Sequence, residues 1–244
     1  FMADSKIDLL KFRLSWSMTG NDDIGNYSTR QAYMSQNLLG MQGLVRNGIP
    51  NPALQWETSA KYNVGADLAT WNERLTFTAD FFHSRTNNML VYENITGAAG
   101  FNTILTNNGS MQNTGVEASV GVRLINKKNL QWDISGNIAT VQNKVNHVPG
   151  GNFLTEYAGA TLLTSGNRPA GVFYGYVTNG VFSTAEEARI ANLKIKTADG
   201  SYRYFGAGDI HFSDINGDNI IDEKDRRVLG SPMPEYYGGF SSKL

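Results

Sequence analysis

Long runs of alternating apolar and polar residues constrain this chain more than any other feature. From Lys11 to Met18, the side chains of Phe12, Leu14, Trp16 and Met18 share one face and those of Lys11, Arg13, Ser15 and Ser17 the other. That is the period-two pattern of a strand with one wet face. It returns with Trp56, Ala60, Tyr62, Val64 and Ala66 against Glu57, Ser59, Lys61 and Asn63, then with Leu75, Phe77, Ala79 and Phe81 against Arg74, Thr76, Thr78 and Asp80. Two further runs set Val116, Ala118, Val120, Val122 and Leu124 against Glu117, Ser119 and Arg123, and Leu130, Trp132, Ile134 and Ile138 against Gln131, Asp133, Ser135 and Asn137. Each reaches about ten residues. Ordinary strands peak near five or six, whereas a tilted strand crossing a bilayer needs about nine to eleven.

The connections point the same way. Short links at Thr70–Glu73 and Asn126–Asn129 alternate with long ones at Gly20–Leu54, Arg85–Asn113 and from Asn143 onward. Outer-membrane barrels have short periplasmic turns, long external loops, and strands apolar toward lipid and polar toward the lumen. The chain is therefore expected to be all-β, part of a large antiparallel transmembrane β-barrel with long extracellular loops, its apolar face against outer-membrane lipid. The strand from Leu9 runs outward, directions then alternate, and Tyr237–Leu244 opens an inward strand. Trp56, Trp71 and Trp132 fall at strand ends, where an aromatic girdle belongs. The competing fold is a secreted calcium-binding β-sandwich, a glycan-binding or adhesion module. It alternates in the same way, but prefers turns every eight to twelve residues or so, a regularity this chain lacks.

Residues 143–235 read as one long extracellular loop region. Within it, Arg168–Phe182 is expected to form a short hairpin turning at Asn179-Gly180. A brief helix should follow, starting near Ser183 or Thr184, where Ser183-Thr-Ala-Glu186 resembles a capping box and Ala185–Leu193 carries the helical propensity. Downstream, the loop Asp214–Asp225 sets oxygen donors in the order of a calcium loop: Asp214, Asn216, Asp218, the carbonyl of Ile220, Asp222 and Asp225. Calcium takes about six to eight oxygen ligands, gathered by such alternation around one point. Asn219 stands where an EF-hand has glycine and Asp225 where it has glutamate, and nearby Gly206, Gly208, Pro232 and Pro234 disfavour flanking helices. Asn tolerates the left-handed turn required there. The same residues also suit a surface turn whose side chains cap its own backbone.

Composition removes other classes. Over 244 residues the formal net charge is −1, which does not suit a nucleic-acid binder. Cysteine is absent, which excludes disulfides, thiolate metal sites and cysteine nucleophiles. No apolar run is long enough for a transmembrane helix, and the residues from Phe1 lack a signal-peptide pattern. None of the sequence patterns of hydrolase elbows, zinc proteases or phosphate loops is present, and His83, His147 and His211 share no ligand spacing. The acidic pairs Asp22/Asp23 and Glu186/Glu187 read as solvated faces. No enzymatic activity is expected. Tyr157, Tyr174 and Tyr176 are the aromatic candidates for contact with a substrate or a covering partner.

Five stretches, in order, carry a resemblance: Leu14–Asn26, Asn51-Pro-Ala-Leu-Gln-Trp-Glu57, Asn113-Thr-Gly-Val-Glu117, Gly171–Phe182 and, longest, Gly208–Phe240. Together they resemble the SusC/RagA-like TonB-dependent transporters, over essentially residues 1–244. The resemblance implies a barrel of about twenty-two strands around an N-terminal plug, lidded by a SusD-like surface lipoprotein and powered through the TonB complex. It implies uptake of an oligosaccharide or peptide across the outer membrane of a Bacteroidetes-type bacterium. A siderophore receptor of the broader TonB-dependent class would share the strands but has less reason to carry the Asp-rich signature. Plug, TonB-interaction segment and remaining strands are not among these residues, so the sequence corresponds to part of such a transporter.

Overall fold

The computed structural model describes residues 6–24, 27–97 and 100–244. Phe1, Gly25 and Asn26, on which parts of the sequence reading fall, lie outside the described residues. The chain divides into two compact units.

The first unit is built on one antiparallel sheet. It is formed by β1 (Ile7–Asn21), β4 (Glu57–Thr70), β5 (Leu75–Asn94), β6 (Thr103–Lys127), β7 (Leu130–His147) and β16 (Tyr236–Lys243), neighbours in that order. The five alternating runs fall within β1 and β4–β7, except for Trp56 and Arg74, which flank strands, and the closing segment pairs antiparallel with β7 as expected. A short hairpin, β2 (Tyr33–Leu38) and β3 (Met41–Arg46), occupies the long connection between β1 and β4. β5 and β6 run to 20 and 25 residues, far beyond a bilayer crossing.

The register aligns apolar residues in rows across the strands. Leu10, Leu68, Phe77 and Val120 form one row across four strands, and Leu14, Val64, Phe81 and Val116 another. This face is uncovered: Phe12, Leu14 and Phe240 are 75%, 82% and 75% exposed. A β-sandwich would bury those side chains under its second sheet, so the sandwich expectation is set aside. At about 25 cal/mol per Å², such a face is stable only against a medium as apolar as itself.

Two tight turns close one end of the sheet. Trp71, Asn72 and Glu73 all adopt positive φ (58°, 58° and 59°), and Glu73 N–H donates to the carboxylate of Asp8. Lys128-Asn129 links β6 to β7. Trp56 directly precedes β4, Trp71 lies in the turn after it, and Trp132 in β7 donates its indole N–H to Ser242 at 2.9 Å. All three tryptophans thus sit at strand ends.

The second unit comprises Leu154–Thr164 and Gly171–Pro232. It contains most of a four-stranded sheet, β8 (Asn152–Tyr157), β9 (Ala160–Ser165), β10 (Val172–Tyr176) and β15 (Arg226–Gly230), ordered β15-β10-β9-β8. Two small pairs join β11 (Thr178–Val181) to β14 (Ile210–Phe212) and β12 (Lys194–Lys196) to β13 (Tyr202–Tyr204). Its core is Phe182, Ala188, Leu193, Phe205 and Ile221.

The sequence reading fails here in two places. The Arg168–Phe182 hairpin does not form, because β10 pairs with β9 and β15 while β11 pairs with β14. Gly180, at φ 93°, lies where the β11–β14 register shifts instead of in a turn. The helix α1 spans Ala185–Ala191, and its N-cap is Thr184, which accepts from Glu187 N–H while Glu187 accepts from Ser183 N–H. The start at Thr184 is as expected, but Glu187 and not Glu186 reaches back, and it meets the N–H of Ser183 and not that of the N-cap, so no reciprocal capping box closes.

The polar face of the large sheet also carries aromatic side chains, Phe82 and Tyr237. Phe82 lies over Gly115 on the next strand, with the Lys61 ammonium 5.2 Å from its ring centre. A Cβ at Gly115 would stand 2.5 Å from the Phe82 ring and 2.6 Å from the Thr140 carbonyl oxygen. Gly115→Ala is expected to cost about 1–3 kcal/mol, the usual penalty of overpacking, read as a lower denaturation midpoint of the full-length protein in detergent. An unchanged midpoint would show that the ring moves aside freely.

Candidate functional site

The polar face of the six-stranded sheet is the largest candidate surface. Arg13 on β1 forks onto Asp67 of β4 with two hydrogen bonds of 3.0 Å, and its second terminal nitrogen also reaches Asp80 of β5 at 2.7 Å. It reaches β5 across Gly65, the residue opposite both Arg13 and Asp80. A Cβ at Gly65 would come within 2.4 Å of the Asp80 carboxylate and 2.8 Å of the guanidinium. Bidentate charge-assisted pairs of this kind are the strong ones. The other Asp80 oxygen, Oδ1, is buried without a hydrogen-bond partner among the described residues, and Glu117 lies directly opposite on β6. Farther along, Arg123 bonds Asp133 at 2.8 Å. The wall is thus polar and cross-braced by ion pairs spanning neighbouring strands.

At the long-loop end, asparagines replace ion pairs. Asn107 donates to the carbonyls of Gln55 and Asn88 and accepts from Gln55 N–H, while Asn51 donates to the Leu105 carbonyl at 2.9 Å. Glu57 accepts from Leu90 N–H and from Asn21. The Asn51–Glu57 stretch is therefore a strut pinning the β1–β4 connection to β5 and β6. Asn107 was invisible to pattern reading because its partners lie 19 and 52 residues away.

The Asp-rich loop stands in the second unit, between β14 and β15, without flanking α-helices. Asn219 takes φ 61°, the left-handed geometry expected of it. Asp214 accepts from Gly217 and Asn219 N–H, Asn216 from Asp218 N–H, Asp218 from Ile220 N–H, and Asp222 from Lys224 N–H. The Ile220 N–H bond, chief among several causes, holds the Asp218 carboxyl below the usual carboxylate range. Asp225 points inward, fully buried, and accepts from Ile215 and Asp222 N–H at 2.8 Å each. The six expected donors thus share one loop, but their side chains chiefly serve its backbone. Among the described residues, no three His, Cys, Asp or Glu side chains gather as a metal cluster. The oxygen chemistry suits a hard cation, and each carboxylate has lone pairs beyond those its amides use. The arrangement is that of a self-capped turn.

The tyrosines expected to face a partner are partly committed elsewhere. Tyr176 packs edge-on against Phe212 at 5.5 Å and lies under the guanidinium of Arg226, whose pKa is raised, chiefly by its hydrogen bond to Tyr176. Tyr174 is half-buried in β10, whereas Tyr157 stays 72% exposed. His83 bonds Thr114, and His211 stacks on Phe182, as side chains with structural partners.

Asp225→Asn removes one of two acceptor oxygens from a buried site and leaves an amide unpaired, at about 1–3 kcal/mol. Faster hydrogen exchange at Ile215 and Asp222, with the six-stranded sheet unaffected, is the expected result.

Comparison with known proteins fits this geometry. Residues 7–237 match the family model described as TonB dependent receptor-like, beta-barrel. TonB-dependent receptor P26 of Formosa agariphila is 30% identical over 96% of this chain and 24% of its own length. TonB-dependent receptor SusC of Bacteroides thetaiotaomicron is 26% identical over 96% of this chain and 23% of its own. The chain thus spans about a quarter of the relatives it matches. Among solved structures, that of the RagAB peptide transporter superposes with a TM-score of 0.74 at 23% identity, covering 99% of this chain and 26% of that one. With its uncovered apolar face, its cross-braced polar face and its unequal ends, this chain belongs to the TonB-dependent receptor-like β-barrel family of the outer membrane, as one stretch of the barrel wall.

Proposed function

We propose that the protein containing this chain imports a bulky nutrient, an oligosaccharide or a peptide, across the outer membrane. The carrying observation is a wall of long strands with lipid-compatible side chains on one face and cross-strand ion pairs on the other. In this reading the polar face lines the lumen, the extended outer ends of β5 and β6 shape the entrance, and residues 143–235 are an extracellular loop region. A SusD-like surface lipoprotein covers the entrance, and the TonB complex drives the cycle through parts of the protein outside this chain. The likeness to the RagAB peptide transporter supports the peptide class, and the oligosaccharide class rests on the sequence resemblance alone.

The test is growth of a strain lacking the gene on oligosaccharide mixtures or on peptides as sole carbon source. Growth should fail on one class, return with the full-length gene, and require TonB. A tagged full-length protein should also retain a surface lipoprotein on purification from outer membranes. Normal growth on both classes would overturn the transport reading.

We further propose calcium as the ion for the Asp214–Asp225 loop, on its donor spacing and oxygen chemistry. Occupancy would require Asp214, Asp218 and Asp222 to turn free lone pairs toward a common point. Calorimetry of the full-length protein should then show a site with a dissociation constant of about 10⁻⁴ to 10⁻³ M, as in extracellular modules, lost in Asp214→Ala. No heat up to about 10 mM calcium, roughly tenfold above that range, would dismiss the ion and leave the self-capped turn.

A further inference from the structure

We propose that the cleft between the β1–β4 connection and the tip of the β5–β6 hairpin binds a saccharide carrying an anionic group. The proposal rests on the nutrient-import reading above and narrows its cargo. The cleft has a volume of about 470 Å³ and is lined by two segments remote in sequence, within 27–49 and 92–105. At one end of the cleft, Asn51 bonds the Leu105 carbonyl and Asn107 pairs with Gln55, which joins the chain just past the first segment to the end of the second.

Its chemistry is selective. Tyr27 and Tyr92, on opposite walls, leave 77% and 65% of their surfaces exposed, and Phe101 shares the wall of Tyr92. Exposed phenol rings offer flat apolar faces for the C–H face of a sugar ring, with hydroxyl groups at their rims. Asn47, Asn102 and Thr103 supply donors and acceptors matched to sugar hydroxyls. Tyr27 is held at φ 61°, a conformation rare for a bulky side chain, which sets its ring at the cleft.

Arg30 is the one charged residue of the lining, and no carboxylate among the described residues is within ion-pair distance of it. A guanidinium free of an internal partner presents its fork to carboxylate or sulfate. Open aromatic faces without an enclosed apolar pocket fit sugar rings better than peptide side chains.

The experiment uses the full-length protein purified from outer membranes with any lipoprotein that accompanies it. Calorimetry would compare tetramers of galacturonate, of methyl-esterified galacturonate and of sulfated galactose, maltotetraose, and a tetrapeptide. At least one anionic tetramer should bind, and the methyl ester should bind less well than galacturonate if that is the ligand. Arg30→Ala should weaken binding about tenfold or more, with partial rescue in Arg30→Lys, because a point charge replaces the fork. Tyr92→Ala should weaken it and Tyr92→Phe should not. If no anionic tetramer binds, if maltotetraose binds equally well, or if the tetrapeptide alone binds, the assignment is wrong. The same result follows if binding survives both Arg30→Ala and Tyr92→Ala. Growth of the gene-deleted strain, complemented by wild type or by the variants, separates the two levels. Wild-type rescue with unaffected variants removes the cleft while transport stands, whereas normal growth of the deletion itself removes transport.

Discussion

Backbone hydrogen bonding in a medium that offers none governs the first unit. In hydrocarbon each unpaired N–H or C=O costs several kcal/mol, so a sheet there must continue until it closes. β4, β5, β6 and β7 are paired on both edges, whereas β1 and β16 each carry one open edge among the described residues. Six strands fall short of the smallest known barrel, of about eight. The two free edges therefore call for further strands of the same wall, which agrees with a chain spanning about a quarter of its relatives.

This constraint also decides where packing specificity lies. The apolar face meets fluid lipid, which rewards hydrophobicity but not jigsaw fit. Register is fixed on the other face, by the Arg13 fork, the Arg123–Asp133 pair and Phe82 seated over Gly115. Slipping one residue would turn every charge of the polar face into lipid. In the second unit, outside this regime, a small core around Phe182 does the ordinary work of water-driven burial.

Much of the wall was legible because period-two alternation is a local signal that survives wherever one face meets lipid. The outer ends of β5 and β6 were not, since stretches such as Thr86–Asn88 and Thr106–Ser110 carry no apolar side chain on either face and read as loop. The Asn179-Gly180 turn was misread because local turn chemistry competed with long-range pairing to β14, and the pairing won. In the Asp-rich loop, the left-handed Asn219 and the missing flanking helices followed from residue type alone. The inward turn of Asp225 did not, because it depends on the amide of Ile215 ten residues away. The cleft was hidden for the same reason: Tyr27 and Tyr92 become neighbours only through the sheet.

The length of β6 alters how force travels through this wall. Its 25 residues, at about 3.3 Å each, measure roughly 80 Å, and about ten of them suffice to cross the bilayer. Its outermost part, Thr103–Gly109, runs past the last β6–β7 pair, Ser110–His147, as a hydrogen-bonded two-stranded ribbon with β5. A coil of that length would absorb a push at its tip by changing shape. A hydrogen-bonded ribbon behaves as a lever arm rooted in the barrel, so a load at the entrance is delivered as torque to the strands below.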